Sequence, residues 1–111
     1  ILNNYSYYLS LEDLNLERAE KLSYKTILAE PENAVYLDTY GWILFKLKRV
    51  DEAITYLEKA TNISADPDVL FHYAEALFAN DLLQEACVYF RKALDAGHDP
   101  EPIKAKLSLC Q

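Results

Sequence analysis

The chain has 111 residues, 51% of them apolar, which suits one small folded domain and excludes a disordered tail. Eleven basic residues against eighteen acidic leave a net charge of −7, which opposes nucleic-acid backbones and anionic bilayers and leaves a neutral or basic partner as the one that charge would steer. No stretch approaches the roughly 18 apolar residues of a membrane-spanning helix, and two cysteines without CxxC spacing beside two histidines make no zinc signature, so neither membrane insertion nor a metal or other cofactor is expected.

With 2 Gly and 4 Pro, the chain has few turn signals, and the apolar spacing is helical throughout. A first helix is expected near residues 1–10, with Leu2, Tyr5, Ser6 and Leu9 on one face, and a second near 17–29 carrying Ala19. Pro31 falls in the connection to a third, near 34–47, whose Leu37, Tyr40, Gly41 and Leu44 stand at i, i+3, i+4 and i+7. The fourth, near 51–62, opens on Asp51 and Glu52, which suit the helix dipole, and carries Ala53, Leu57 and Ala60. Leu70, Tyr73, Ala74 and Leu77 repeat the third helix's stripe near 68–79. Ala86, Phe90 and Ala93 repeat the fourth's near 82–96, where Gly97 closes the helix. A last segment, 101–110, carries Ile103 and Leu107 and reads either as a cap on the stack or as the first helix of a further repeat.

The pattern Leu-x-x-Tyr-small-x-x-Leu thus recurs at Leu2, Leu37 and Leu70, with offsets of 35 and 33 residues, and Ala19, Ala53 and Ala86 follow at 34 and 33. This resembles the tetratricopeptide repeat, whose pattern is W-x2-L-G-x2-Y, then A-x3-F, then A and P. The second unit matches with Leu37, Tyr40, Gly41, Leu44, Ala53, Leu57 and Ala60, and the third with Leu70, Tyr73, Ala74, Leu77, Ala86, Phe90 and Ala93. The family's Trp is Leu in all three units, and its inter-helix Gly is Lys48 and Asp81. The resemblance implies an all-α, right-handed α-solenoid of three helix hairpins, about 1–33, 34–66 and 67–100, followed by the helix at 101–111. The stretch after Leu37-Asp-Thr also resembles repeats near the C-terminal ends of longer bacterial repeat proteins, and a chain that opens on an apolar periodic segment at Ile1 and holds no Met reads as a piece of one. The compartment stays open between cytoplasm and periplasm.

The small residues at 6, 41 and 74 let facing helices approach, so leucine at 41 should overpack, while alanine should be tolerated because Ala74 and Ser6 hold the same place. In the family, the first helix of each pair lines a concave groove. The positions off the packing stripe are Asn3 and Tyr7 on the first helix, and Asp38, Trp42, Phe45 and Lys46 on the third. On the fifth they are Phe71, Glu75 and Phe78, with Asp68 at its edge. Aromatic groups among acids suit a protein or peptide partner with apolar anchors and a neutral to basic flank; the competing reading packs Trp42, Phe45, Phe71 and Phe78 between neighbouring repeats. A basic clamp for a C-terminal carboxylate, found in some members of the family, lacks its Lys and Arg, since Asn3, Tyr7, Thr39, Asp68 and His72 stand there.

No catalysis is expected: Ser6, Ser10 and Ser23 have no base beside them, and His72 reads as a surface partner of Glu75. His98 reads as an ordinary loop residue, and Cys87 as a small buried thiol. The leading reading is a protein–protein interaction scaffold. The alternative is a structural spacer or weakly self-associating module of a larger repeat protein.

Overall fold

The protein is described by a computed structural model over residues 15–110. The helix expected at 1–10, with Asn3 and Tyr7, lies outside the described residues. Within them the chain forms α1 (Leu16–Ala29), α2 (Ala34–Lys46), α3 (Val50–Ile63), α4 (Pro67–Ala79), α5 (Leu83–Asp95) and α6 (Glu101–Leu107). Five of these match the expected spans within a residue. The sixth stops at Leu107 rather than at 110, because the amides of Leu109 and Cys110 turn to the carbonyls of Lys106 and Leu107, three residues back, and so leave the α ladder.

Local chemistry sets the ends. Asn33 caps α2 by accepting from the Tyr36 amide at 3.1 Å, and Asp66 caps α4 by accepting from the Asp68 amide at 2.9 Å, with Pro67 in the first turn. Helices α2, α4 and α5 each close through one residue with positive φ: Lys48 at 68°, Asp81 at 60° and Gly97 at 105°. In each case the next amide reaches five residues back, Arg49 to Leu44, Leu82 to Leu77 and His98 to Ala93, the C-terminal motif that glycine favours. Lys48 and Asp81 therefore hold the left-handed geometry that explains the family's preference for Gly there. Lys48→Gly should raise stability by about 1 kcal/mol, read as a shift of the urea midpoint; an unchanged or lower midpoint would show that the turn imposes no strain.

Packing follows the stripes. Leu37, Leu44, Ala53, Leu57 and Ala60 are buried between α2 and α3, as are Leu70, Tyr73, Ala74, Leu77, Ala86, Phe90 and Ala93 between α4 and α5. Each helix packs on its chain neighbour from α1 through α5, and α6 seats on α5 through Ile103, which is fully buried. Helix α2 also packs on α4, whereas α3 does not reach α5, nor α1 reach α3. The first helices of the hairpins therefore line the inside of the curve and the second helices splay outside.

The expectation for alanine at 41 is overturned. A Cβ on Gly41 would lie 2.6 Å from Cγ of Leu57 and 3.3 Å from its backbone nitrogen, and Leu57 is fully buried with no room to withdraw. At the equivalent place Ala74 is fully buried, and by register the residue opposite it is Phe90 rather than Leu.

The two tyrosines of the stripe tie adjacent helix pairs. Tyr40 donates to Glu20 on α1 at 3.0 Å, and Tyr73 to Glu58 on α3 at 3.4 Å. Burial, together with the neighbouring carboxylate, pushes both phenols up, Tyr73 to about 12.

Candidate functional site

On the inner face the side chains of α2 and α4 meet across the hairpin boundary. Asp38 and Trp42 stand one turn apart on α2, so both point toward α4. Asp38 pairs with Nδ1 of His72 at 2.9 and 3.1 Å through its two carboxylate oxygens. The His72 ring lies on Trp42 with centroids 4.2 Å apart, and Trp42 stacks in turn on Phe45 at 4.8 Å. Burial raises the Asp38 carboxyl above its usual range, outweighing the opposing pull of His72.

The arrangement recurs one hairpin on. Glu75, in the place of Trp42, is ion-paired with Lys106 of α6, whose ammonium also sits 5.3 Å above the Phe78 ring and 5.7 Å above Phe90. Phe71, in the place of Asp38, stacks on His98 at 4.3 Å, and Nε2 of His98 lies 3.5 Å from the carboxylate of Asp68. Lys46 closes the last turn of α2, where a cation suits the dipole.

The structure thus divides the expected set. Asp38 and Trp42 converge on His72, with Phe45 stacked behind Trp42, while Glu75 and Phe78 converge on Lys106, and Phe71 and Asp68 on His98. Trp42, Phe45, Phe71 and Phe78 are all half-buried: Trp42 packs on His72 of α4, Phe71 on His98 and Phe90, and Phe78 on Phe90, while the ring that Phe45 meets is Trp42 of its own helix. Asp68 is exposed, with its side chain 75% accessible.

Three readings need correction. His72 does not stand at the surface beside Glu75: it is half-buried between Asp38 and Trp42. His98 is no ordinary loop residue, because the turn after Gly97 lays its ring on Phe71. Cys87 is buried but is not a thiol; it forms a disulfide with Cys110. The acids at 38 and 75 are moreover partnered within the chain by His72 and Lys106, leaving Asp68 as the exposed one. Sequence reasoning missed His72, His98 and Lys106 as site residues. The signal in the spacing was faint, since His72 follows Asp38 by 34 residues, one more than the 33 that separate the second and third units.

Among the described residues no helix is long and apolar enough to cross a membrane. The family model described as tetratricopeptide repeat matches residues 34–67. No curated protein matches the chain. Among solved structures, the crystal structure of MamA superposes with a TM-score of 0.73 at 18% identity over 83% of this chain, which spans 54% of the MamA chain. Residues 34–67 thus match a tetratricopeptide repeat, and with consecutive helices packed as hairpins the chain has an all-α solenoid fold like that of MamA.

Proposed function

We propose that this solenoid is a protein–protein interaction scaffold whose inner face receives an extended or helical segment of a partner. The observation that carries the reading is the aromatic run of Phe45, Trp42 and His72, continued by Phe71 and His98, which is rigid through stacking yet only half-buried. Flat, partly exposed rings held in place make low-entropy anchors for apolar side chains. Because His72 and Lys106 answer Asp38 and Glu75, the partner is recognised mainly by its apolar anchors. A Lys or Arg on the partner's flank finds Asp68 rather than a continuous acidic edge.

A direct test selects binders from a display library of random peptides against the intact chain. Peptides with apolar anchors should be recovered, and Trp42→Ala should weaken them about thirtyfold, roughly 2 kcal/mol. Val88→Ser, on the outer face of α5, should leave their affinity unchanged. Selected peptides that bind equally well without Trp42 would remove the inner face as the docking surface.

A further inference from the structure

We propose that the disulfide between Cys87 and Cys110 is a redox latch, which in its oxidised form holds α6 over the far end of the inner face. Cys87 lies on α5 and Cys110 one turn beyond α6, with their Cα atoms 6.0 Å apart, inside the range that a bridge spans. Cys110 follows Leu77 by 33 residues and Leu44 by 66, so it occupies the place at which both earlier inner helices bury a leucine. There the hold is hydrophobic and the helix runs 13 residues; in α6 it is covalent and the helix runs 7. Apart from that bond, α6 is anchored by the fully buried Ile103, by Leu107 packed part-buried against the core and by Lys106, while Ser108 and Leu109 are exposed. Past Ile103 no residue is fully buried, so on this proposal the disulfide supplies the hold that Leu107 and Lys106 do not complete.

The bond is also reachable. Cys87 and Cys110 line a cleft of about 470 Å³ with Leu83, Val88, Arg91 and Leu109. Cys110 is half-buried and Cys87 buried, which directs an incoming thiolate to Sγ of Cys110. A dithiol reductant would attack there and form a mixed disulfide; the electron pair of the broken bond leaves on Cys87, which takes up a proton. The second thiol of the reductant then closes its own disulfide and releases Cys110 as a thiol. Two electrons and two protons pass from the dithiol to the protein.

Release of the turn removes Lys106 from Glu75 and from the face of Phe78. The reduced form would then extend the inner face by one acid and one aromatic ring. That consequence for a partner rests on the function proposed above, whereas the latch does not, so its test uses no partner. Amide exchange followed by mass spectrometry on the whole chain should show protection over residues 104–110 falling about tenfold or more when dithiothreitol is added, with α2 and α3 unchanged. Cys110→Ser should exchange like the reduced wild type and ignore dithiothreitol. Equal protection in the oxidised and reduced chains would overturn the latch, as would two free thiols titrating in the air-oxidised monomer. Should the latch pass and peptide selection fail, only the docking role is lost.

Discussion

Gly41→Leu should be among the most damaging single changes on the inner helices, lowering stability by about 3 kcal/mol or more. Even the smallest side chain meets Leu57 there: Cβ would stand 2.6 Å from its Cγ and 2.8 Å from one of its methyl carbons. In an ordinary helix interior, Gly→Ala gains about 1 kcal/mol from backbone entropy. At 41 that gain opposes an overpacking cost of about 1–3 kcal/mol in a contact where neither helix can retreat, because Leu57 and Leu44 are both fully buried. The net expectation for Gly41→Ala is therefore a loss of about 1–2 kcal/mol, the reverse of the usual sign. Removing the obstacle should remove the penalty: in a Leu57→Ala background, alanine at 41 partly refills the vacated space, and its effect should turn neutral or favourable. Urea unfolding of the two single variants and the double variant measures this coupling. A Gly41→Ala chain as stable as the parent would show that α2 and α3 slide apart freely, and would undo the account of why this repeat carries glycine.

The repeat period carried most of the fold. Hydrophobic spacing is a property of each helix by itself, so stripes such as Leu37–Tyr40–Leu44 and Ala53–Leu57–Ala60 could be read singly and paired by their order. Long-range chemistry was less visible. Cys87 on α5 and Cys110 just beyond α6 are 23 residues apart, and nothing in that spacing separates a disulfide from two buried thiols until α6 is seen to seat on α5. His72 looked like the partner of Glu75 because i, i+3 neighbours lie close on any helix, yet the tighter partner, Asp38, comes from the previous hairpin. The same blindness affects charge. Asp38 and Glu75 count as acids in the sequence, but His72 and Lys106 answer both of them. The small-residue positions were found as a class, whereas the difference between Gly41 and Ala74 depends on the residue facing each one and so on a contact between two helices.

That difference supports the last and largest expectation, at Phe90. The ring is fully buried between α4 and α5, with its centroid 6.1 Å from that of Phe71 and 6.3 Å from that of Phe78, and Lys106 reaches over it from α6. Three helices share this ring, so Phe90→Ala should cost about 3–5 kcal/mol, through lost transfer energy and a cavity that no single helix can close. The sharper test is Phe90→Leu. By register, position 90 faces 74 as 57 faces 41, so a leucine at 90 presents its branched Cγ to the Cβ of Ala74, the approach that Gly41 avoids. Phe90→Leu should then cost about 2 kcal/mol, from lost volume and from overpacking at one edge. Ala74→Gly alone should cost about 1 kcal/mol in helix propensity. Combined, the two changes rebuild in the later hairpin the Gly–Leu pair of the earlier one, and the double variant should be more stable than the sum of the singles by about 1 kcal/mol. Additivity within about 0.5 kcal/mol would mean that the two hairpins do not share one contact geometry at this position, and that Ala74 fits for some reason other than the flat ring opposite it.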